Sequence, residues 1–169
     1  LEDLGVEVNK RNDSLVIDTT NMSNKPMTHE AVTKLRASYY FMGALLGKYG
    51  HVEISMPGGC YLGPRPIDLH LKGLEALGVE FDKRHVVIKG KPSGLTGAKI
   101  FLDFPSVGAT ENLMMAASIS EGQTILENVA EEPEIVDLAN YLNNMCARIT
   151  GAGTNAIKII GVSKLKGTV

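Results

Sequence analysis

A thiol at Cys60 lies in the run Pro57-Gly58-Gly59-Cys60-Tyr61-Leu62-Gly63-Pro64-Arg65-Pro66-Ile67-Asp68, five positions before the guanidinium of Arg65. Cysteine reacts as its thiolate, and nearby guanidinium charge favours that form, so the pair could supply an acid, a base or a nucleophile. Glycine admits positive φ, while proline fixes φ and lacks an N–H, so the run is predicted to be an exposed, shaped loop. The competing reading is a small buried hydrophobe, the usual fate of a free cysteine.

Two helix starts could hold an anion. Pro66 reads as a first-turn proline just behind Arg65, and Ser106, after Pro105, reads as the N-cap of a helix running from Val107 through an alanine-rich segment. A helix N-terminus carries partial positive charge and spare N–H donors, which suits phosphate. Each residue also has a plainer reading. Ser106 is a cap, Asp68 in a first turn answers the helix dipole, and Arg36 in Lys34-Leu35-Arg36-Ala37-Ser38-Tyr39 is a solvated helix residue.

Several motifs point elsewhere and fail on context. Gly151-Ala152-Gly153-Thr154-Asn155-Ala156 fits the dinucleotide fingerprint, but Ala156-Ile157-Lys158-Ile159-Ile160 reads as a strand where the fingerprint needs a helix, so a hairpin turn is predicted. Gly43 to Lys48 resembles a phosphate loop but is one residue short between its glycines and lacks the following Ser or Thr; it reads as the end of an amphipathic helix. His29, His51, His70 and His85 show no metal-ligand spacing, and no cofactor is expected.

The elements that must position these groups follow an internal repeat. Leu1-Glu2-Asp3-Leu4-Gly5-Val6-Glu7-Val8 recurs as Leu74-Glu75-Ala76-Leu77-Gly78-Val79-Glu80-Phe81, and more weakly from Leu142 through Cys146 to Ile149. Each copy precedes a β-branched run: Leu15 to Asp18, Val86 to Lys89 and Ile157 to Ile160. A second helical pattern alternates with the first, from Ala37 to Lys48 before Gly50 and from Ala109 to Glu121 before Gly122, each followed by strand-like residues. The unit is about 70 residues of mixed helix and strand, longer than a solenoid repeat. An α/β domain of related subdomains is predicted, with Cys146 buried and inert in the apolar pattern of the third copy.

The composition is that of a soluble globular protein, with 44% hydrophobic and 21% charged residues in 169. A formal net charge of -2 without a basic run argues against nucleic acid or an anionic membrane as partner. Two well-separated cysteines, with no signal peptide and no span-length apolar stretch, suggest a reducing, cytoplasmic setting. The start at Leu1 reads like the tail of a helix, as in a piece of a longer chain.

Taken in order, Lys34-Leu35-Arg36-Ala37-Ser38, Pro57-Gly58-Gly59-Cys60, Gly63-Pro64-Arg65-Pro66-Ile67-Asp68-Leu69-His70, Ser106-Val107-Gly108-Ala109-Thr110 and Glu132-Pro133-Glu134-Ile135-Val136-Asp137 closely resemble the UDP-N-acetylglucosamine enolpyruvyl transferases. The resemblance covers essentially the whole chain. It implies transfer of the enolpyruvyl group of phosphoenolpyruvate to the 3-hydroxyl of UDP-N-acetylglucosamine with release of phosphate, the first committed step of peptidoglycan synthesis. It also implies an inside-out α/β barrel domain of three similar subdomains. Residues 1–169 would be most of the first of two such domains, without its N-terminal segment and without the second domain, which supplies a catalytic aspartate and a phosphate-binding arginine.

By the same resemblance, Cys60 is the proton donor on a mobile loop, forms an adduct with phosphoenolpyruvate and is the target of fosfomycin. Arg65 and Arg36 match arginines of the anionic site, while Pro66, Ile67, Asp68 and Leu69 match the uridine-binding stretch. Ser106, Val107 and Gly108 match residues around the nucleotide diphosphate. Phe104 stands where some members carry a lysine, a variant that resembles Gram-positive members. Two alternatives stand beside this reading: the sister enzyme 5-enolpyruvylshikimate-3-phosphate synthase, which lacks the cysteine loop, and an inactive nucleotide-binding fragment.

Overall fold

The computed structural model describes residues 1–27, 32, 35–55, 67–82, 87–90 and 94–167. A 3-10 turn at Glu2–Leu4 leads into the hairpin of strands β1 (Glu7–Arg11) and β2 (Ser14–Asp18). A second 3-10 turn, Arg36–Tyr39, runs into helix α1 (Tyr40–Tyr49), followed by strand β3 (Glu53–Ser55), helix α2 (Asp68–Ala76) and strands β4 (Phe81–Asp82) and β5 (Val87–Gly90). Then come β6 (Lys99–Phe101), α3 (Val107–Ala117), β7 (Gln123–Glu127), α4 (Pro133–Asn144), β8 (Arg148–Thr150) and β9 (Ala156–Ile160).

The repeat seen in the sequence is a repeat of topology. In residues 99–160 the sheet order is β6-β7-β9-β8, with β6 and β7 parallel and the other pairs antiparallel. The preceding unit has the same order, β3-β5-β4, with Met27 bridged in parallel to Ile54 where β6 would stand. The registers agree: Ile54 faces Ile88 as Leu126 faces Ile157. Residues 1–18 contain the closing helical turn and hairpin of such a unit, with Val8 facing Ile17 as Ile149 faces Ile159.

Left-handed backbone recurs at the same step. Gly5, Gly78 and Cys146 have φ of 79°, 93° and 74°, each just after a helical segment, so Cys146 occupies a position that favours glycine. That step corrects the expectation of a buried Cys146. The chain turns out of the helix there, and the thiol is free and exposed, while Leu142 and Ala147 on either side are buried.

Helix α3 occupies the inside, while α4 buries only Ile135, Ala139 and Leu142 along one face. Along α3 the residues Ala109, Thr110, Asn112, Leu113, Met114, Ala116 and Ala117 are all buried, too broad a set for a one-faced surface helix. The outer sheet alternates: Leu126, Ile157 and Ile159 face inward while Gln123, Lys158 and Ile160 face water. Small residues let the helices close up. A β-carbon on Gly43 of α1 would overlap the backbone oxygen of Asn112, and one on Gly73 of α2 would meet Leu113 Cδ1 and Cδ2 at 2.5 and 2.6 Å. Among the described residues, no helix is long and apolar enough to cross a membrane.

Helix α3 stops short of the expected Glu121. The Ser118 and Ser120 hydroxyls donate to the carbonyls of Met114 (2.7 Å) and Ala116 (3.0 Å), and Val162 N–H donates to Ser118 O at 2.9 Å, so the last turn is satisfied from outside the helix. Gly122, at φ 93°, then turns the chain into β7. The Gly151–Asn155 segment is the predicted hairpin turn between β8 and β9, with Thr154 Oγ1 donating to Gly151 O at 2.8 Å.

Alanine at Gly43 sets about 1 kcal/mol of helix propensity gained against overpacking on a backbone atom that cannot rotate away, which costs about 1–3 kcal/mol. Gly43→Ala should therefore lower the urea midpoint, whereas Gly50→Ala should act only through its left-handed φ of 75°, since nothing lies within 4 Å of a β-carbon there.

Candidate functional site

Three backbone stretches named from the sequence converge at one end of the buried helices: the turn Arg36–Tyr39, the start of α2 and the start of α3. The first is anchored by Ser38, whose Oγ donates to Val32 O at 2.8 Å. Arg36 opens this turn. Tyr39 continues it into the core, its ring 4.8 Å from the ring of His70 on α2. Gly108, in the first turn of α3, lies under both: a β-carbon there would meet Tyr39 Oη at 2.8 Å and His70 Cε1 at 3.3 Å.

Helix α2 begins at Asp68 with Ile67 as its N-cap residue. Ile67 and Leu69 are buried in the core while Asp68 is exposed, so of the three side chains only the Asp68 carboxylate faces water. Cys60, Arg65 and Pro66 lie outside the described residues, as do His29 and His85.

Helix α3 begins as predicted. Ser106 is its N-cap in extended conformation (φ −140°, ψ 113°), and its Oγ accepts from Ala109 N–H at 3.4 Å. The plain capping role of Ser106 is thus present, and the N–H groups of Val107 and Gly108 belong to the first turn, where a helix offers no internal acceptor. Nearby, Lys72 Nζ pairs with Asp103 at 2.7 Å across α2 and the loop before α3; both are exposed, so the pair contributes well under about 1 kcal/mol. Phe104 is 56% exposed, an apolar surface where the resemblance expects a lysine in some members.

The sequence missed the residue that ties these stretches together. Asn112, fully buried, accepts at Oδ1 from Gly43 N–H (2.7 Å) and through Nδ2 reaches Tyr39 O and His70 Nδ1, both at 3.0 Å. Its signal in the sequence is an amide at a core-facing position of a helix whose other buried residues, Thr110 apart, are apolar. His70, whose sequence position shows no metal-ligand spacing, is buried within this network. Next to it, burial and then hydrogen bonds with Tyr39 and Glu111 push the Tyr40 phenol above its ordinary pKa, so it stays protonated.

An apolar cavity of about 540 Å³ lies at the other end of these helices, lined by Gly47, Lys48, Met115, Ile119, Tyr141 and Leu165 among others. It sits by the C-terminal ends of α1 and α3, where the dipole disfavours anions, and none of the described site residues lines it. Among the described residues, no group of three or more His, Cys, Asp or Glu side chains could hold a metal ion.

A family model described as EPSP synthase (3-phosphoshikimate 1-carboxyvinyltransferase) matches residues 1–169. UDP-N-acetylglucosamine 1-carboxyvinyltransferase 2 of Clostridium tetani is 55% identical over 164 residues, covering 97% of this chain and 39% of the relative. The protein of the same name from Bacillus subtilis is 52% identical over 167 residues, covering 99% of this chain and 39% of the relative. This chain therefore spans about two fifths of the length of these relatives. Among solved structures, the enolpyruvyl transferase NikO from Streptomyces tendae superposes with a TM-score of 0.77 at 18% identity, over 95% of this chain and 38% of that one. An EPSP synthase from Acinetobacter baumannii gives 0.72 at 19%, over 99% and 39%. At such identities the two likenesses show the fold: an inside-out α/β domain with helices within and sheets without.

The long Ser106 contact predicts a modest cap. Ser106→Ala should cost roughly 0.5–1 kcal/mol in urea unfolding, while Ser106→Asp, an equally good N-cap with favourable charge, should stay within about 0.5 kcal/mol of the native protein. Equal losses in both would mean that the hydroxyl serves something other than the helix end.

Proposed function

This chain belongs to the EPSP synthase (3-phosphoshikimate 1-carboxyvinyltransferase) family, and we propose that within it the longer protein acts on UDP-N-acetylglucosamine. The observation that carries this reading is 52–55% identity, over nearly all of the chain, to relatives named for that substrate. The Cys60 loop and the Arg65-Pro66-Ile67-Asp68 stretch support it. The protein would carry the enolpyruvyl group of phosphoenolpyruvate onto the 3-hydroxyl of the sugar, an early step of peptidoglycan synthesis.

The chemistry assigns work to each group. Phosphoenolpyruvate brings a phosphate and a carboxylate, which Arg36 and Arg65 neutralise. Cys60 delivers a proton to the methylene carbon as the sugar hydroxyl, giving its own proton to a base such as the aspartate of the second domain, adds to the neighbouring carbon to form a tetrahedral adduct. Loss of a proton from the new methyl group and departure of phosphate then restore the double bond. Closure of the Cys60 loop excludes water from this sequence. The nucleotide lies along the starts of α2 and α3, with Ile67, Asp68 and Leu69 beside the uridine and the Ser106–Gly108 N–H groups at the diphosphate.

Residues 1–169 would form most of the first of two domains, the cleft lying between them. Coverage of about two fifths of the relatives supports this. So does the bare hairpin of the first unit: Leu15 and Ile17 are 62% and 49% exposed, whereas their register equivalents Ile157 and Ile159 are 0% exposed. The remaining strands and helices of that unit would cover them.

The full-length protein should release phosphate from phosphoenolpyruvate with UDP-N-acetylglucosamine and not with shikimate 3-phosphate, and residues 1–169 alone should stay at background in both assays. The opposite substrate preference would assign it to the sister activity.

Cys60 has its own test. With UDP-N-acetylglucosamine bound, fosfomycin should label Cys60; the exposed Cys146 lies apart from the helix starts and should carry no nucleotide-dependent label. Cys60→Asp should keep turnover and resist the drug, since a carboxylic acid donates a proton but attacks an epoxide poorly, and Cys60→Ala should lose about 10²-fold or more. Undiminished turnover in the alanine variant would remove Cys60 from the mechanism.

A further inference from the structure

Resting on that reading, we propose that Asn112 is a positioning residue for nucleotide binding: its buried carboxamide locks the turn at Arg36–Tyr39 and the starts of α2 and α3 into one arrangement, and sets the tautomer of His70.

The amide orientation follows from its partners. Gly43 N–H can only donate, so the atom 2.7 Å from it is the oxygen Oδ1, and the other amide atom is the NH₂ group. One proton of that group goes to the carbonyl of Tyr39 at 3.0 Å. The other faces His70 Nδ1 at 3.0 Å, which must then accept, so the neutral ring carries its proton on Nε2. A single side chain thereby grips α1 at both Tyr39 and Gly43, the pair that the helical i→i−4 pattern sets facing each other, and fixes α2 through His70.

Packing does not explain the amide. Apolar neighbours such as Met42, Leu46, Leu113 and Ala116 already fill the helix contacts, and an apolar side chain at 112 would avoid desolvation altogether. A carboxamide with all three of these bonds made holds distance and angle, where an apolar contact tolerates sliding. What it holds is functional backbone: His70 lies two residues beyond Asp68, Gly108 sits under the Tyr39 and His70 rings, and Arg36 opens the turn that ends at Tyr39. The absence of a side chain at Gly43 is the condition for this approach, since Oδ1 would lie 2.7 Å from a β-carbon there.

The test uses the full-length protein with Asn112→Asp, which keeps the acceptor for Gly43 N–H and loses both donors. The KM for UDP-N-acetylglucosamine should rise about tenfold or more, with kcat changed less than about threefold, because misplacing positioning groups by a fraction of an ångström has effects of this size. Leu126→Ala, a core cavity in the outer sheet, should lower the melting temperature at least as far and leave that KM within about twofold of native. Nitrogen-15 NMR of the native protein should show His70 protonated at Nε2 and not at Nδ1, with the assignment moving in Asn112→Asp. A KM for Asn112→Asp within twofold of native, or a native Nδ1 that is protonated at neutral pH, overturns the proposal. If the native protein does not use UDP-N-acetylglucosamine, the substrate reading fails, and the nitrogen signature decides the Asn112 arrangement.

Discussion

Helix α3 is enclosed by protein along nearly its whole length because residue 43 of α1 has no side chain and residue 112 of α3 can therefore press against its backbone. That approach sets where α1 runs, and Gly73 against Leu113 sets α2 in the same way. The sheets then have only one face to cover, so their strands alternate while the inner helices carry apolar or small residues on most sides. The site inherits its geometry from this packing, since its three stretches are the ends of elements whose interiors are fixed by it.

The unit structure is legible in the sequence because each helix end must pass through a left-handed residue before a β-branched strand, and that requirement leaves glycine and alternation at matching positions. Gly5 and Gly78 keep the signature; Cys146 breaks it in composition and keeps it in backbone, with φ of 74°. The same substitution explains why its burial is misjudged: apolar periodicity continues through 142–149, while the backbone reverses direction at 146. The early end of α3 is hidden for a different reason, since the groups that satisfy it include Val162, far along the chain.

Of the site, the helix starts can be read locally. Ser106 has the residue type and the neighbours of an N-cap, and the cap forms. Asn112 and His70 cannot be read in that way, because an isolated amide or imidazole in a helical pattern says nothing of a partner 73 or 42 residues away. Their meaning depends on α1, α2 and α3 being packed together. Ile67 and Leu69 illustrate the reverse: a stretch matched as a whole to a ligand divides, once folded, into core side chains and one exposed carboxylate.

The crossing of residues 161–162 over the end of α3 bears on the order of events during synthesis. Gly161 N–H donates to Gly122 O and Val162 N–H to Ser118 O, both at 2.9 Å, and the backbone at 161 passes so near Ser120 that a side chain there would collide with its oxygen. A ribosome that has released residue 120 but not residue 162 therefore holds a helix whose final turn is still open to water. The contacts of the third unit are complete only when its last strand has emerged, so β9 and the glycine after it close the end of α3 from a distance of about forty residues along the chain.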